Sequence, residues 1–544
     1  MLDLPNIISS EIPKGGGPNI GKIITIMAIC QTLAPTSKSD LKNWYEETAL
    51  EYLINITPAN TEEWNLYSAM KYLSKERIEK IEHNIVLNLV NKYNIKLDTC
   101  LYDLTSTFFY GHKDLFKLHG CSRDHMSHLI QVVIGLAVTK EDGFPIKHWV
   151  HPGNTTDLTA LPGAAASMKQ LYGSDNNITL VFDRGNISEK NVRILDEMGY
   201  EYICGLKRNE TLIKNIIRKA VNTSGFEPIK TIKDDDGNES IVSGTSMTVD
   251  LWDRQRKIVI VYSEALKDAE ECSRTKAVDQ AKLELEEIEK KCIDRNISHD
   301  NLVIMLHEAL KGTAKYYDII IVDHTPQTTL KIDRTDKAKE LNQRIFRWID
   351  PKLDELSSRI HDLNPEDARA ELKQILGDKK KYYRYRISES DEHSEFHCEL
   401  KSDVVDRSSE FDGYYALMST DLTLSMVDII EINDSRDVAE KAFQTLKNPL
   451  RIRPIRHWVP DMVRAHIYIC LLGYLLRQML KFLLKNGNLD ISLRESMILL
   501  RRIKLVQIGN TDNNPCFRIT HMSDEQKKLF DLLDLNHSLK DLSI

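Results

Sequence analysis

The sequence predicts an α/β protein: a mixed sheet with flanking helices, interrupted by an α+β insertion, with helical regions at both ends. Three observations predict it. Apolar residues recur at helical spacing from residue 20 to 97. From 97 to 208 short runs rich in Thr, Tyr, Phe, Val and Ile appear, first in succession and then alternating with helical segments. From 209 to 405 long charged stretches break that alternation, and an apolar run returns at 411–420.

Each element follows from its own residues. IITIMAICQTLAP, SKSDLKNWYEETALEYLI and KERIEKIEHNIVLNLVNKY carry the helical spacing of the N-terminal region, 1–96. LDTCLYDLTSTFFYG, 97–111, reads as a strand, and 128–154 as two strands joined at a turn around Glu141, Asp142 and Gly143. Thr156–Leu171 is a helix, NITLVFDRG (177–185) a buried strand ending in a charged turn, Ser188–Met198 a helix and YEYICGLKR (200–208) a strand. Three strands in hairpin order followed by α/β alternation match the RNase H-like plan, with 97–208 as its first part. An inserted domain, 209–405, holds possible strands KIVIVYSEAL and YYDIIIVDH and helical stretches at 274–292 and 337–360. The core resumes over 406–485 with the strand FDGYYALMST and the helix RDVAEKAFQTLK (436–447), and a C-terminal region, 486–544, follows.

At 544 residues the chain is too long for one core. Nine cysteines without a C-x-x-C pattern point to free thiols in a reducing cytoplasm. His393, His397 and Cys398 cluster in EHSEFHC, but no matching second half completes a zinc site. The start, MLDLPNIISSEIPKGGG, lacks the basic and apolar regions of a signal peptide. The most apolar run, IYICLLGYLL (467–476), is too short to span a bilayer and reads as a buried helix, so no membrane partner is expected. The net charge of −8 argues weakly against nucleic acid, but charge is segregated. Residues 446–504 hold twelve Lys and Arg against three Asp and Glu, and a local basic face decides phosphate binding more than the global balance.

Two carboxylates stand out. Asp103 lies within the first core strand and Asp183 ends the fourth, both in otherwise apolar or Thr- and Tyr-rich runs where a charge is costly unless satisfied. In a sheet of this order the two strands are neighbours, and a divalent cation relieves the repulsion between side-by-side carboxylates. In the helix 436–447, Val438, Ala439, Ala442 and Leu446 share an apolar side. Arg436, Glu440, Phe443 and Lys447 run along its border. Glu440 is then placed to supply a third carboxylate, and Arg436 and Lys447 to grip phosphates, the one as a fork and the other as a point charge. Surface decoration by i,i+4 pairs, a capping role for Asp103 and an Asx turn at Asp183 are the plain alternatives.

The spacing Arg436-x3-Glu440-x6-Lys447 resembles the Tyr-x2-Arg-x3-Glu-x6-Lys signature of DDE transposases in the insertion-sequence-four group. DLTSTFFYG, the PGN of HPGNTTD, VFDRGNIS, FDGYYALMST, LKNPLRIRPIRHW and RAHIYICLLGYLL also look like blocks of one branch of that group, together covering roughly 100–206 and 405–480. The resemblance implies an RNase H-like fold in which Asp103, Asp183 and Glu440 are catalytic metal ligands for two Mg²⁺ ions, with Mn²⁺ as a substitute. It implies cleavage at transposon ends and strand transfer into target DNA. Arg436 and Lys447 would contact phosphates, with Arg184 and Trp458 as further DNA contacts. The partners would be double-stranded DNA, both terminal inverted repeats and target, and a second copy in a homodimer on DNA. The setting would be the prokaryotic cytoplasm, at the nucleoid when bound. The chain departs from the signature once: its Tyr position is Asn433, which hydrogen-bonds but cannot stack as a ring does. Two other readings are a transposase-derived DNA-binding protein without catalysis, and an RNase H-like nuclease that cuts without joining.

Overall fold

The computed structural model describes residues 2–13, 17–109, 118, 129–172, 178–208, 210–223, 225–233, 239–273, 328–333, 350–359, 365–376, 384–390, 393–399, 410–507 and 517–535. They form two compact units, one of Met1–Lys207, Met247–Ile258 and Leu417–Ile544, the other of Arg208–Ser246 and Val259–Ala416.

The first unit opens with six helices: α1 (Leu4–Ser10), α2 (Ile20–Leu33), α3 (Leu41–Glu46), α4 (Leu50–Ile54), α5 (Glu63–Lys71) and α6 (Lys75–Tyr93). The last matches its expected span. Ser74 caps it by accepting from the Arg77 N–H, Asn94 ends it in a left-handed turn, and Ile78, Ile81, Ile85 and Leu89 bury one stripe. The expected buried helix is Pro460–Asn486. By length and composition it could cross a membrane, but Tyr468, Ile469, Leu472, Leu475 and Met479 lie in the same core as residues of α2, α5 and α6.

The sheet has the predicted plan. Strands β1 (Thr99–Phe108), β2 (Gln131–Thr139), β3 (Pro145–Pro152), β4 (Thr179–Phe182) and β5 (Glu201–Gly205) alternate with α7 (Asp157–Tyr172) and α8 (Glu189–Glu197) as the sequence implies. Their order in the sheet is β3-β2-β1-β4-β5. β1, β2 and β3 pair antiparallel, while β4 runs parallel to both β1 and β5. This is the mixed sheet of an RNase H-like fold. β2 is buried along its whole length, which is why it reads as an unbroken apolar run rather than an alternation. The β2–β3 turn requires glycine at 143: its φ is +65°, and a Cβ there would meet Gln478 Nε2 at 2.6 Å. Tyr474 donates to the Gly143 carbonyl at 2.8 Å, tying the turn to the long core helix.

The return strand, Tyr414–Ser419, pairs antiparallel with β5 through Leu417↔Gly205, Met418↔Cys204 and Ser419↔Ile203. The helix Met426–Asp434, which the sequence reading does not anticipate, follows it; Ser425 and Asp428 close its N-terminus in a capping box. The helix Asp437–Lys447 comes next and buries Ala439, Ala442, Phe443 and Leu446 against β1 and β2. Two expectations are corrected there. Phe443 belongs to the buried face rather than to its border. Arg436, expected as the first residue of the helix, is instead its N-cap residue at a junction of two helices.

In the second unit, α9 (Thr211–Thr223) precedes β6 (Glu227–Lys233), which pairs antiparallel with the first part of β7 (Glu239–Leu251). The expected strand at 257–266 forms within β8 (Arg254–Ser263), whose first half, Arg254–Ile258, belongs to the first unit, and helix follows from Glu264. A three-stranded sheet of Thr328–Asp333, Arg384–Ser390 and His393–Glu399, and the helices Asp350–Arg359 and Pro365–Leu376, complete its described part. The helix expected at 274–292, the strand at 316–324 and the first part of the stretch 337–360 lie outside the described residues, as do the side chains of His393, His397 and Cys398.

Candidate active site

Two strands set the site. The parallel register of β1 and β4 ends with Tyr102↔Phe182. Asp103 and Asp183 are the next residue on each, so they stand level on neighbouring strands about 4.8 Å apart. Side chains alternate along a strand, so the level residues share a face of the sheet. That face is identified by register: Asp103 lies opposite Leu136, and Leu136 opposite His148. His148 hydrogen-bonds Glu82 on α6 and stacks on Tyr468 of the long core helix. Asp103 therefore faces the helical layer, the same side from which Arg436 approaches Asp183.

Local chemistry holds each carboxylate. Asp103 Oδ1 accepts from the Leu104 N–H at 2.7 Å in an otherwise buried part of β1. Asp183 ends β4 and leads into a short 3-10 turn, Arg184–Asn186. Its side chain is 40% exposed and its Oδ1 receives Arg436 Nη2 at 2.9 Å. Glu440 is exposed in the first turn of the helix Asp437–Lys447, one turn past Arg436. The ion pair thus brings the start of that helix to Asp183, with Glu440 one turn further along it.

The other expected residues divide by position. Lys447 is half-buried in the last turn of the same helix, about 16 Å along the axis from Arg436. Asn433 lies in the last turn of the preceding helix, where its carbonyl accepts from the Arg436 N–H and its Oδ1 is buried without a hydrogen-bond partner. Arg184 is exposed directly after Asp183. Trp458 is exposed on the segment leading to the long core helix, apart from the carboxylates.

One residue near the site was not singled out from the sequence. A Cβ added at Gly185 would stand 2.8 Å from Asp157 Oδ2 and 3.7 Å from Asp183 Oδ2, so Asp157, in the first turn of α7, lies beside Asp183. An Asp at a helix N-terminus reads as a dipole partner, which masks any other role. Its signal is the TTD that follows PGN in HPGNTTD.

The donor set is all oxygen, which suits a hard divalent ion held by one or two carboxylates and completed by water or phosphate. Asp183 already accommodates a cation, the Arg436 guanidinium. Among the described residues no group of three or more His, Cys, Asp and Glu side chains converges closely enough to hold a metal ion. The level pair Asp103 and Asp183 supplies two ligands, with Glu440 one turn beyond the arginine.

Comparison with known proteins bears on this geometry. The family described as "Transposase DDE domain" matches residues 106–476. The match takes in Asp183, Arg436, Glu440, Lys447 and Trp458, while Asp103 lies three residues before its start. Among solved structures, the chain is similar to a piggyBac transposase in a synaptic complex with hairpin DNA, at 14% identity and a TM-score of 0.28, over 48% of this chain and 56% of that one. The chain thus matches little more than half the length of that relative. No curated protein matches.

Proposed function

The chain belongs to the transposase DDE-domain family, and from that premise we propose that it is the DNA transposase of an insertion sequence. In this reading it cleaves transposon ends and transfers them into target DNA through Asp103, Asp183 and Glu440. The observation that carries the proposal is the level placement of Asp103 and Asp183 on parallel strands, with Arg436 drawing the Glu440 helix onto Asp183.

Asp103, Asp183 and Glu440 would hold Mg²⁺, or Mn²⁺ in its place, with two ions as the full complement. Bound there, the metal would polarise the phosphoryl oxygen and favour deprotonation of the attacking water or 3′-hydroxyl. The protein's own contribution is position. The sheet fixes two carboxylates on a rigid scaffold and the helix Asp437–Lys447 brings the third. Arg436 has N–H groups beyond the one engaged with Asp183, and these can fork onto a phosphate beside the site. Lys447 marks a second phosphate further along the same helix. Arg184 and Trp458 extend the contact surface, and Asn433 alters how the end is gripped. Segment 209–405 is the insertion between the two parts of the core. Two ends must meet for joining, so a homodimer on DNA is the working form.

Substitution tests the reading. Asp103→Ala, Asp183→Ala and Glu440→Gln are expected to reduce cleavage of end-bearing DNA below detection while leaving binding within a few-fold, since phosphate contacts dominate affinity. A variant cutting at near wild-type rate removes that residue from the site. The departure at Asn433 is the one feature favouring a DNA-binding protein without catalysis, and metal-dependent cleavage by the native chain rejects that reading.

A further inference from the structure

Two of the most exposed large side chains in the described part of the protein are indoles, Trp64 at 65% and Trp458 at 56%. They lie on adjoining elements. Trp64 opens α5, and Tyr67, one turn later on the same face, meets the His457 ring edge-on at 5.8 Å between centroids. His457 is the neighbour of Trp458. Leaving an indole in water forgoes substantial apolar burial, and two on adjacent elements mark a surface that meets something.

The charge around them points to the partner. Lys71, two turns along α5 from Trp64, and Arg456 have no ion-pair partner among the described residues. The acids nearby are engaged: Glu62 with Lys42 at 3.1 Å, Glu63 with the Tyr67 hydroxyl, and Asp461 with Arg464 at 2.9 Å. Arg451 adds an independent sign. The helix Asp437–Lys447 closes with Leu450 N–H donating to the Thr445 carbonyl and Ile452 N–H to the Leu446 carbonyl, and Arg451 is the left-handed residue of that closure, at φ +46°. Glycine or asparagine ordinarily fills such a position. An exposed arginine there keeps a guanidinium at a steric cost that glycine would avoid.

The face also lies at a useful distance from the carboxylates. Ile455 N–H donates to the Phe108 carbonyl at the end of β1, and the Arg453 guanidinium sits over the Phe108 ring. Asp103 is five residues back along β1, about 17 Å.

We propose that Trp64 and Trp458, flanked by Arg451 and Arg456, form a stacking platform that receives unpaired bases of a DNA strand running away from the cleavage site. Indole faces accept any base, and the arginines hold the intervening phosphates, the combination that single-strand binding requires. The proposal rests on the DNA-transposase reading above and adds where an unpaired strand is held and by which residues.

The test compares two oligonucleotides by fluorescence anisotropy: a blunt duplex, and the same duplex with a short unpaired extension carrying 2-aminopurine. The wild-type full chain is expected to bind the extended duplex about tenfold more tightly than the blunt one, with quenching of the 2-aminopurine, as stacking on an indole predicts. Trp64→Ala with Trp458→Ala should bring the affinity ratio close to one and abolish quenching. Trp64→Phe with Trp458→Phe should restore both in part, which a general loss of folding could not do. Arg451→Gln with Arg456→Gln should flatten the salt dependence on the extended DNA. Wild-type protein that binds both DNAs equally, or an alanine pair that keeps the ratio, overturns the platform while leaving the transposase reading standing. Wild-type protein that binds neither DNA overturns both.

Discussion

Gly185 illustrates how narrow the tolerances at the candidate site are. Its side-chain space is taken by Asp157 Oδ2, 2.8 Å from where a Cβ would stand. In Gly185→Ala the carboxylate at the tip of Asp157 has to move, which costs little stability because a side-chain end moves more easily than backbone. It moves beside Asp183, however, and an ångström of misplacement at a reacting centre can cost about a hundredfold in rate. The expected result is a ten- to hundredfold slower cleavage with a nearly unchanged melting temperature. A normal rate would separate Asp157 from the site. Asn433→Tyr is the complementary change: it restores the aromatic position of the signature and is expected to improve end cleavage, and equal or lower activity counts against a defect at this position. At this scale the sequence was legible where chemistry was unusual, as with Asp103 and Asp183 in core strands. It was not legible for Asp157 or for the partner of Arg436, because one residue resembles an ordinary helix-start acid and the other finds its partner some 250 residues away.

At the scale of elements, α8 and the β7–β8 turn show what a buried charge demands. Arg256 is fully buried, with Nη2 at 2.6 Å from Asp196 Oδ2 and Nε donating to the Leu251 carbonyl at 2.8 Å. Burial alone would raise the Asp196 pKa, but hydrogen bonds from Arg256, Tyr202 and Arg254 outweigh it and hold the carboxyl below its usual range. Its stabilising contribution is therefore present above the unfolded carboxyl value and is lost as pH falls through the folded one. Arg256→Ala leaves Asp196 partly buried with a major partner gone and is expected to destabilise the first unit by about 3–5 kcal/mol, measured by chemical denaturation. Replacement of both residues by apolar side chains should recover much of that loss. Two histidines shift stability with pH in the same direction, though here the folded form is the neutral one. Burial, reinforced by Lys38, pushes His457 down to about 4 and His466 down to about 3. Both are neutral when folded, whereas an unfolded histidine takes up its proton near pH 6.5. Between these limits the unfolded chain binds more protons, so stability should fall as pH drops from about 6.5 toward 4. His466→Gln should flatten that fall; an unchanged pH profile would show that His466 is solvated. The helix Asp437–Lys447 was legible as an element, but its neighbour Met426–Asp434 was not, since Met426, Val427, Ile429, Ile430 and Ile432 are spread around nine residues rather than gathered in one stripe.

Across the whole molecule, the sheet was the most readable feature. Strand order follows from three hairpin-linked strands and then α/β alternation, because short connections and parallel crossovers leave few arrangements open. Among the N-terminal helices α2 and α6 were equally plain from their apolar spacing, while the stretch 37–54 breaks into α3 and α4. β6 and much of β7 were not, because Glu227, Pro228 and Lys230–Lys233 in β6 are mostly exposed and carry little apolar alternation. The charge pattern also gained meaning only from position: a chain of net charge −8 carries Arg436, Lys447, Arg451 and Arg456 within a short span that passes from Asp183 to the end of β1. The central claim is that the carboxylates on β1, β4 and the Glu440 helix act together on DNA. It is tested most directly by incubating the purified chain with labelled DNA bearing the ends that flank its own gene, in Mg²⁺ and in EDTA. Nicking at those ends and joined products are expected in Mg²⁺, and neither in EDTA. Binding to the ends without cleavage in Mg²⁺ or Mn²⁺ would contradict the claim.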